Sequence, residues 1–103
     1  MSALGLKLNH QIDLDTRTIY LVGSVDSEMY LKLVNGFMAI PSGSVTIVLN
    51  TDGGCVYQAF AIHDLIKSRG NCTIVTEGQC MSAGIIILMA AAYKLSRPNC
   101  FFL

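Results

Sequence analysis

Three short β-rich runs, at residues 18–22, 45–49 and 72–76, recur with a glycine-bearing turn and a helix-length segment between each pair. That spacing limits the fold, because a parallel partner strand needs a crossover of a dozen or more residues, usually a helix. The first run, Thr18-Ile-Tyr-Leu-Val22, ends at Gly23. Asp26 or Ser27 can then cap a helix whose Tyr30, Leu33, Val34 and Phe37 share one face, and Pro41-Ser-Gly43 stops it. The second run leads into Asn50-Thr-Asp-Gly-Gly54 and a helix over 55–68, with Val56, Ala59, Phe60 and His63 on one face and Arg69-Gly70-Asn71 as its stop. The third leads into Gly78-Gln-Cys-Met-Ser82 and a strongly apolar segment, 83–92, predicted as a buried core helix. After a turn at Pro98-Asn99, residues 100–103 read as the start of another strand. Residues 1–16 are polar and weakly patterned, an N-terminal arm ahead of a single domain over 17–103. The alternation predicts an α/β layer structure with mainly parallel strands.

A chain of 103 residues is one domain at most and buries only about two thirds of its unfolded surface. With 52% hydrophobic and 14% charged residues, part of its apolar surface is expected to face another chain. Seven basic and seven acidic residues cancel, and no basic cluster or aromatic platform accompanies them, which disfavours a nucleic-acid partner. The longest apolar stretch, 83–93, is well short of the roughly 20 residues of a membrane span, and the start lacks a secretory pattern. A soluble, cytoplasmic protein is the expectation. Cysteines 55, 72, 80 and 100 form no C-x-x-C pair and have no histidines at metal spacing, so buried reduced thiols are expected, with no metal and no cofactor.

Two turns join the carboxyl end of a strand to the amino end of a helix, the edge where ligand sites gather in α/β sheets. They are Thr51-Asp-Gly-Gly54 and Gly78-Gln-Cys-Met-Ser82. A serine opening an apolar helix lies near unpaired backbone N–H groups, which suits a nucleophile whose reaction develops an oxyanion; the same serine serves equally as a simple N-cap. Gly53-Gly54 likewise reads either as part of an oxyanion hole or as a tight turn.

In order and spacing, Leu49-Asn-Thr-Asp-Gly-Gly54, Ala59-Phe-Ala-Ile-His-Asp64 and Gly78-Gln-Cys-Met-Ser-Ala-Gly84 resemble the Clp protease proteolytic subunit family. That family carries Asn-Ser-Pro-Gly-Gly, then Ala-Ile-Tyr-Asp, then Gly-Gln-Ala-Ala-Ser-Met-Gly. Residues 18–29 and Arg97-Pro-Asn-Cys100 fit two further blocks, so the resemblance runs from about Thr16 to Leu103. It implies a crotonase-like α/β fold of repeated β-β-α units, incomplete at the C-terminus. Ser82 would be the nucleophile, with the backbone N–H groups of Gly54 and Ala83 as the oxyanion hole, and the reaction would be peptide-bond hydrolysis through an acyl-enzyme. It further implies stacked homo-oligomeric rings, polypeptide substrates and an ATP-dependent unfoldase as partner. This chain itself has no phosphate-binding loop.

Thr51-Asp52 replaces Ser-Pro, Cys80-Met81 replaces Ala-Ala, and Ala83 replaces Met; none removes a main-chain donor. The family's catalytic histidine would follow the Pro98-Asn99 turn just past Leu103, with the aspartate further on. His10 precedes the fold, and His63 stands where the family has tyrosine, so a structural role is expected for it. Without a base this polypeptide alone is expected to be nearly inactive. Cys80 has no basic neighbour to make it the nucleophile instead. Two alternatives stay open: an enoyl-CoA-hydratase-like thioester enzyme, which needs the two amides but no serine, and a non-catalytic or truncated subunit of a mixed ring.

Overall fold

The computed structural model describes residues 12–103. Their order is β1 (Ile12–Asp13), β2 (Thr18–Val22), α1 (Ser27–Ala39), β3 (Val45–Thr51), α2 (Val56–Arg69), β4 (Cys72–Cys80), α3 (Ala83–Leu88), β5 (Tyr93–Ser96) and β6 (Phe101–Phe102). Most of the expected 1–16 arm, His10 included, lies outside the described residues, and Ile12–Asp13 pair antiparallel with β2. The other pairings are parallel. The sheet runs β1-β2-β3-β4-β5, with β6 also on β4.

Register explains the core. Ile19 pairs Ile47, which pairs Ile74; Leu21 pairs Leu49, which pairs Thr76. Because strand side chains alternate between faces, this row forms one apolar face, and all six residues are fully buried. Met29 and Leu33 of α1, Ala59, Ile62 and Ile66 of α2, and Ala83 and Ile87 of α3 complete the cluster. Gly36 lets α1 lie against the sheet, since a Cβ there would stand 2.6 Å from Ile19 Cδ1.

Both long helices have legible ends. Asp26 caps α1 through its carboxylate, which accepts the Met29 N–H at 2.9 Å. Gly70, at φ 71°, ends α2, and the Arg69 guanidinium donates to the carbonyls of Ile40 and Gly43, tying α2 to the loop after α1.

Four expectations need correction. The buried face of α2 is Ala59, Ile62 and Ile66, while Val56 and Phe60 are about half exposed. α2 packs against α3 and α1, and the face it buries is rotated by roughly one residue from the one that Val56 and Phe60 define. The apolar segment 83–92 is helical only to Leu88: the N–H groups of Ala90 and Ala91 bond back three residues, and Ala92 N–H donates to Cys72 O, handing the chain to the sheet as β5. Pairing with β4 thus overrides alanine's helix preference. The cysteines are not uniformly buried, since Cys55 is exposed and Cys100 partly so. Finally, β3 and β4 run further than expected, to Thr51 and Cys80, and this extension shapes the site.

Candidate active site

β3 and β4 pair regularly to Leu49↔Thr76, then resume at Thr51↔Cys80, so β4 spends extra residues across a bulge. Gly78, at φ 72°, sits in that bulge against the Asn50 side chain; a Cβ there would be 2.9 Å from Asn50 Nδ2. The bulge brings the two glycine-bearing turns together. Met81 N–H donates to Thr51 O at 3.1 Å, and buried Thr51 accepts the Gly53 N–H on Oγ1, also at 3.1 Å.

Gly53 then meets Ser82 directly. A Cβ on Gly53 would fall 2.9 Å from Ser82 Cβ and 3.4 Å from its Oγ, so only glycine permits this approach. Gly54 is fixed from the other side: Val25 N–H donates to Gly53 O and Cys55 N–H to Val25 O, both at 2.8 Å. Since Val25 bonds the residues flanking Gly54, the Gly54 N–H points away from Val25. Its φ is 148°, and a Cβ would stand 2.4 Å from Val25 O.

Ser82 is the N-cap position of α3, yet its side chain makes no capping bond. It is exposed, with φ 53° and ψ −120°, a backbone conformation that costs a non-glycine residue about 1–3 kcal/mol. Its own N–H donates to Leu103 O at 2.7 Å, and Ser82 O accepts from Ile85 N–H at 3.0 Å. Ala83, next along, is buried, and Gly84 packs its Cα on Thr51, where a Cβ would lie 2.5 Å from Cγ2. An apolar cleft of about 650 Å³ adjoins the turn, lined by Asn50, Gly78, Gln79, Met81 and the 101–103 tail.

The structure thus brings Gly53, Gly54, Ser82 and Ala83 to one sheet edge. It does not bring His63 there: that ring sits midway along α2, with Nδ1 3.1 Å from Asp64 Oδ1. Among the described residues no hydrogen bond joins any histidine to Ser82, and no cluster of His, Cys, Asp and Glu could hold a metal. Cys80 is buried beside the turn, and burial pushes its thiol up to about 11, with neighbouring Cys100 adding to the effect. A thiol so disposed is a poor thiolate source at neutral pH. Sequence reasoning missed Thr51, whose hydroxyl holds the Gly53 amide; the bulge that buries it leaves no periodic signature.

The turn thus carries an uncapped serine in a sparsely populated backbone conformation beside a glycine pair. Comparison with known proteins gives the family. Residues 8–103 match the family described as Clp protease, and the chain belongs to that family. It is 30% identical over 94 residues to the ATP-dependent Clp protease proteolytic subunit 3 of Rhizobium etli, covering 85% of this chain and 48% of that protein. To the ATP-dependent Clp protease proteolytic subunit 2 of Treponema denticola it is 32% identical over 97 residues, covering 87% of this chain and 48% of the relative. The chain therefore spans about half the length of the curated relatives it matches. Among solved structures, ClpP1 from Listeria monocytogenes superposes with a TM-score of 0.82 at 31% identity, over 97% of this chain and 59% of that one. The ClpP protease catalytic domain from Plasmodium falciparum shares the fold, with a TM-score of 0.80 at 20% identity, over all of this chain and 60% of its own.

Proposed function

We propose that this chain supplies the nucleophile half of a Clp-type serine endopeptidase site. Ser82 Oγ attacks the scissile carbonyl, the N–H groups of Gly54 and Ala83 receive the oxyanion, and the acyl-enzyme is released by water. The observation that supports the reading is the close approach of Gly53, the neighbour of Gly54, to an exposed serine free of any capping bond.

Among the described residues no general base reaches Ser82, and the described histidine, His63, is engaged with Asp64 on α2. By themselves these residues are expected to hydrolyse peptides at a rate about six decades below that of a complete triad. In line with the family, the working assembly would be a ring of copies in the cytoplasm, fed polypeptide by an ATP-dependent unfoldase, with no nucleic-acid or membrane partner. Exposed Tyr57, Phe60 and Met89 supply apolar surface for such contacts. Among the described residues no helix is long and apolar enough to cross a membrane.

The test is labelling by a fluorophosphonate, measured on the longest product of the coding sequence and mapped by peptide mass. Adduct on Ser82, absent in Ser82→Ala, is the expected result. An unlabelled Ser82 in a protein that instead binds an acyl-CoA would overturn the peptidase reading in favour of a thioester enzyme.

A further inference from the structure

We infer that Asp52 is a specificity-determining residue, whose carboxylate favours polypeptide segments carrying a lysine or arginine close to the bond that Ser82 attacks. This preference presupposes Ser82 as the nucleophile and adds the class of substrate to that reading.

The backbone is tied down on both sides of Asp52. Buried Thr51 ends β3 and accepts the Gly53 N–H on its hydroxyl at 3.1 Å, and Gly53 O accepts the Val25 N–H at 2.8 Å. Asp52 between them is exposed, and among the described residues its side chain makes no hydrogen bond and no ion pair. Its charge is therefore held near the site by the main chain and is open to a ligand.

Covalent geometry limits how far that charge can stand from the nucleophile. The Cβ position of Gly53 is 2.9 Å from Ser82 Cβ. Adjacent Cα atoms are about 3.8 Å apart, so Asp52 Cα lies within about 8 Å of Ser82 Cβ, and its carboxyl carbon within about 11 Å whichever way the side chain turns. An extended polypeptide advances about 3.3 Å per residue, so residues up to about three from the scissile bond fall inside that radius.

The charge around the turn has the same sign. Residues 18–31 and 45–66, which contain β2, β3 and the turns that follow them, include no lysine or arginine. Val25 bonds the residues flanking Gly54, so Asp26, next along, adds a negative charge on that side, although its carboxylate is committed to the Met29 N–H. In β4, Glu77 is balanced by Arg97, 3.9 Å away. Arg17 and Arg69 are held at the opposite edge of the sheet, where they donate to carbonyls of the 40–44 loop. The proline that the family motif has in place of Asp52 carries no charge, so the preference is this chain's own. An exposed pair of unlike charges changes affinity by up to about fivefold, and at 1 M salt the screening length falls to about 3 Å.

The experiment compares two peptidyl fluorophosphonates that differ in one residue, lysine in one and norleucine in the other, beside the phosphorus-bearing position. Rates of Ser82 labelling are measured on the longest product of the coding sequence, with the adduct mapped by peptide mass. The lysine probe should react about two to five times faster at low salt, and the ratio should approach one at about 1 M salt. It should also approach one in Asp52→Asn, invert in Asp52→Lys and persist in Asp64→Asn, which removes an exposed carboxylate from α2. Equal rates in the parent, or a lysine preference that survives in Asp52→Asn or is lost equally in Asp64→Asn, would overturn the assignment to Asp52 while leaving Ser82 as the nucleophile. A Ser82 labelled by neither probe would overturn both.

Discussion

Replacing Ser82 by glycine should stabilise the fold while abolishing its reactivity. Ser82 is held at φ 53° and ψ −120°, where a Cβ is penalised by about 1–3 kcal/mol. Glycine relieves that strain but gains freedom in the unfolded chain, which returns about 0.4–1 kcal/mol. The hydroxyl itself contributes little to stability, because it makes no capping bond. The net expectation is about 1 kcal/mol in favour of Ser82→Gly over Ser82→Ala, with the alanine variant within about 0.5 kcal/mol of the parent. With a urea slope near 1.5 kcal/mol/M, that is a midpoint shift of about 0.7 M. Urea unfolding of the three proteins by circular dichroism measures it, and fluorophosphonate labelling should be lost in both variants. Equal midpoints for the alanine and glycine variants, or a lower one for glycine, would refute the idea that the turn stores strain at the serine.

Other outcomes follow from the same geometry. Gly54→Ala places a methyl 2.4 Å from Val25 O, so it should cost about 1–3 kcal/mol in thermal or urea unfolding and suppress Ser82 labelling by displacing the neighbouring amide. Asp26→Ala removes the cap on α1 and should cost about 1 kcal/mol, with Asp26→Ser retaining most of the stability in the same assay. Cys80 has a folded-state value of about 11 against an ordinary 9.0, so its contribution is fully present below pH 9 and is lost as the pH rises toward 11, where only the unfolded chain ionises. Melting temperatures of the parent and Cys80→Ala should therefore converge or cross over that interval; parallel curves would contradict the burial argument.

Much of the fold was legible because it depends on local signals. The three β-branched runs, the Asp26 cap, the stop at Gly70 and the start of a strand near Phe101 each lie where their residues indicate. What escaped depends on distant partners. Tyr93-Lys-Leu-Ser96 alternates apolar and polar residues over only four positions directly after the alanines, too short a run to stand out, and becomes a strand by pairing with the edge of β4. The inward face of α2 is set by α3 and the sheet, whereas Val56 and Phe60 are apolar without being buried. At the site, both turns could be placed from glycine chemistry, but the Gly53–Ser82 contact arises from a bulge between Thr76 and Cys80 that no window of residues reveals. The family resemblance, more than any local pattern, singled out Ser82 from an ordinary helix cap.

β5 has a practical consequence for anyone handling the chain alone. Its four residues are all exposed, with Tyr93 and Leu95 alternating with Lys94 and Ser96, and it ends the sheet among the described residues. An open rim of unpaired backbone groups bearing two large apolar side chains is a template for strand addition, restrained only by Lys94 and the nearby Arg97. Concentrated preparations should accordingly be prone to self-association through this rim, and a second lysine at Leu95 is the simplest change to keep the chain in solution.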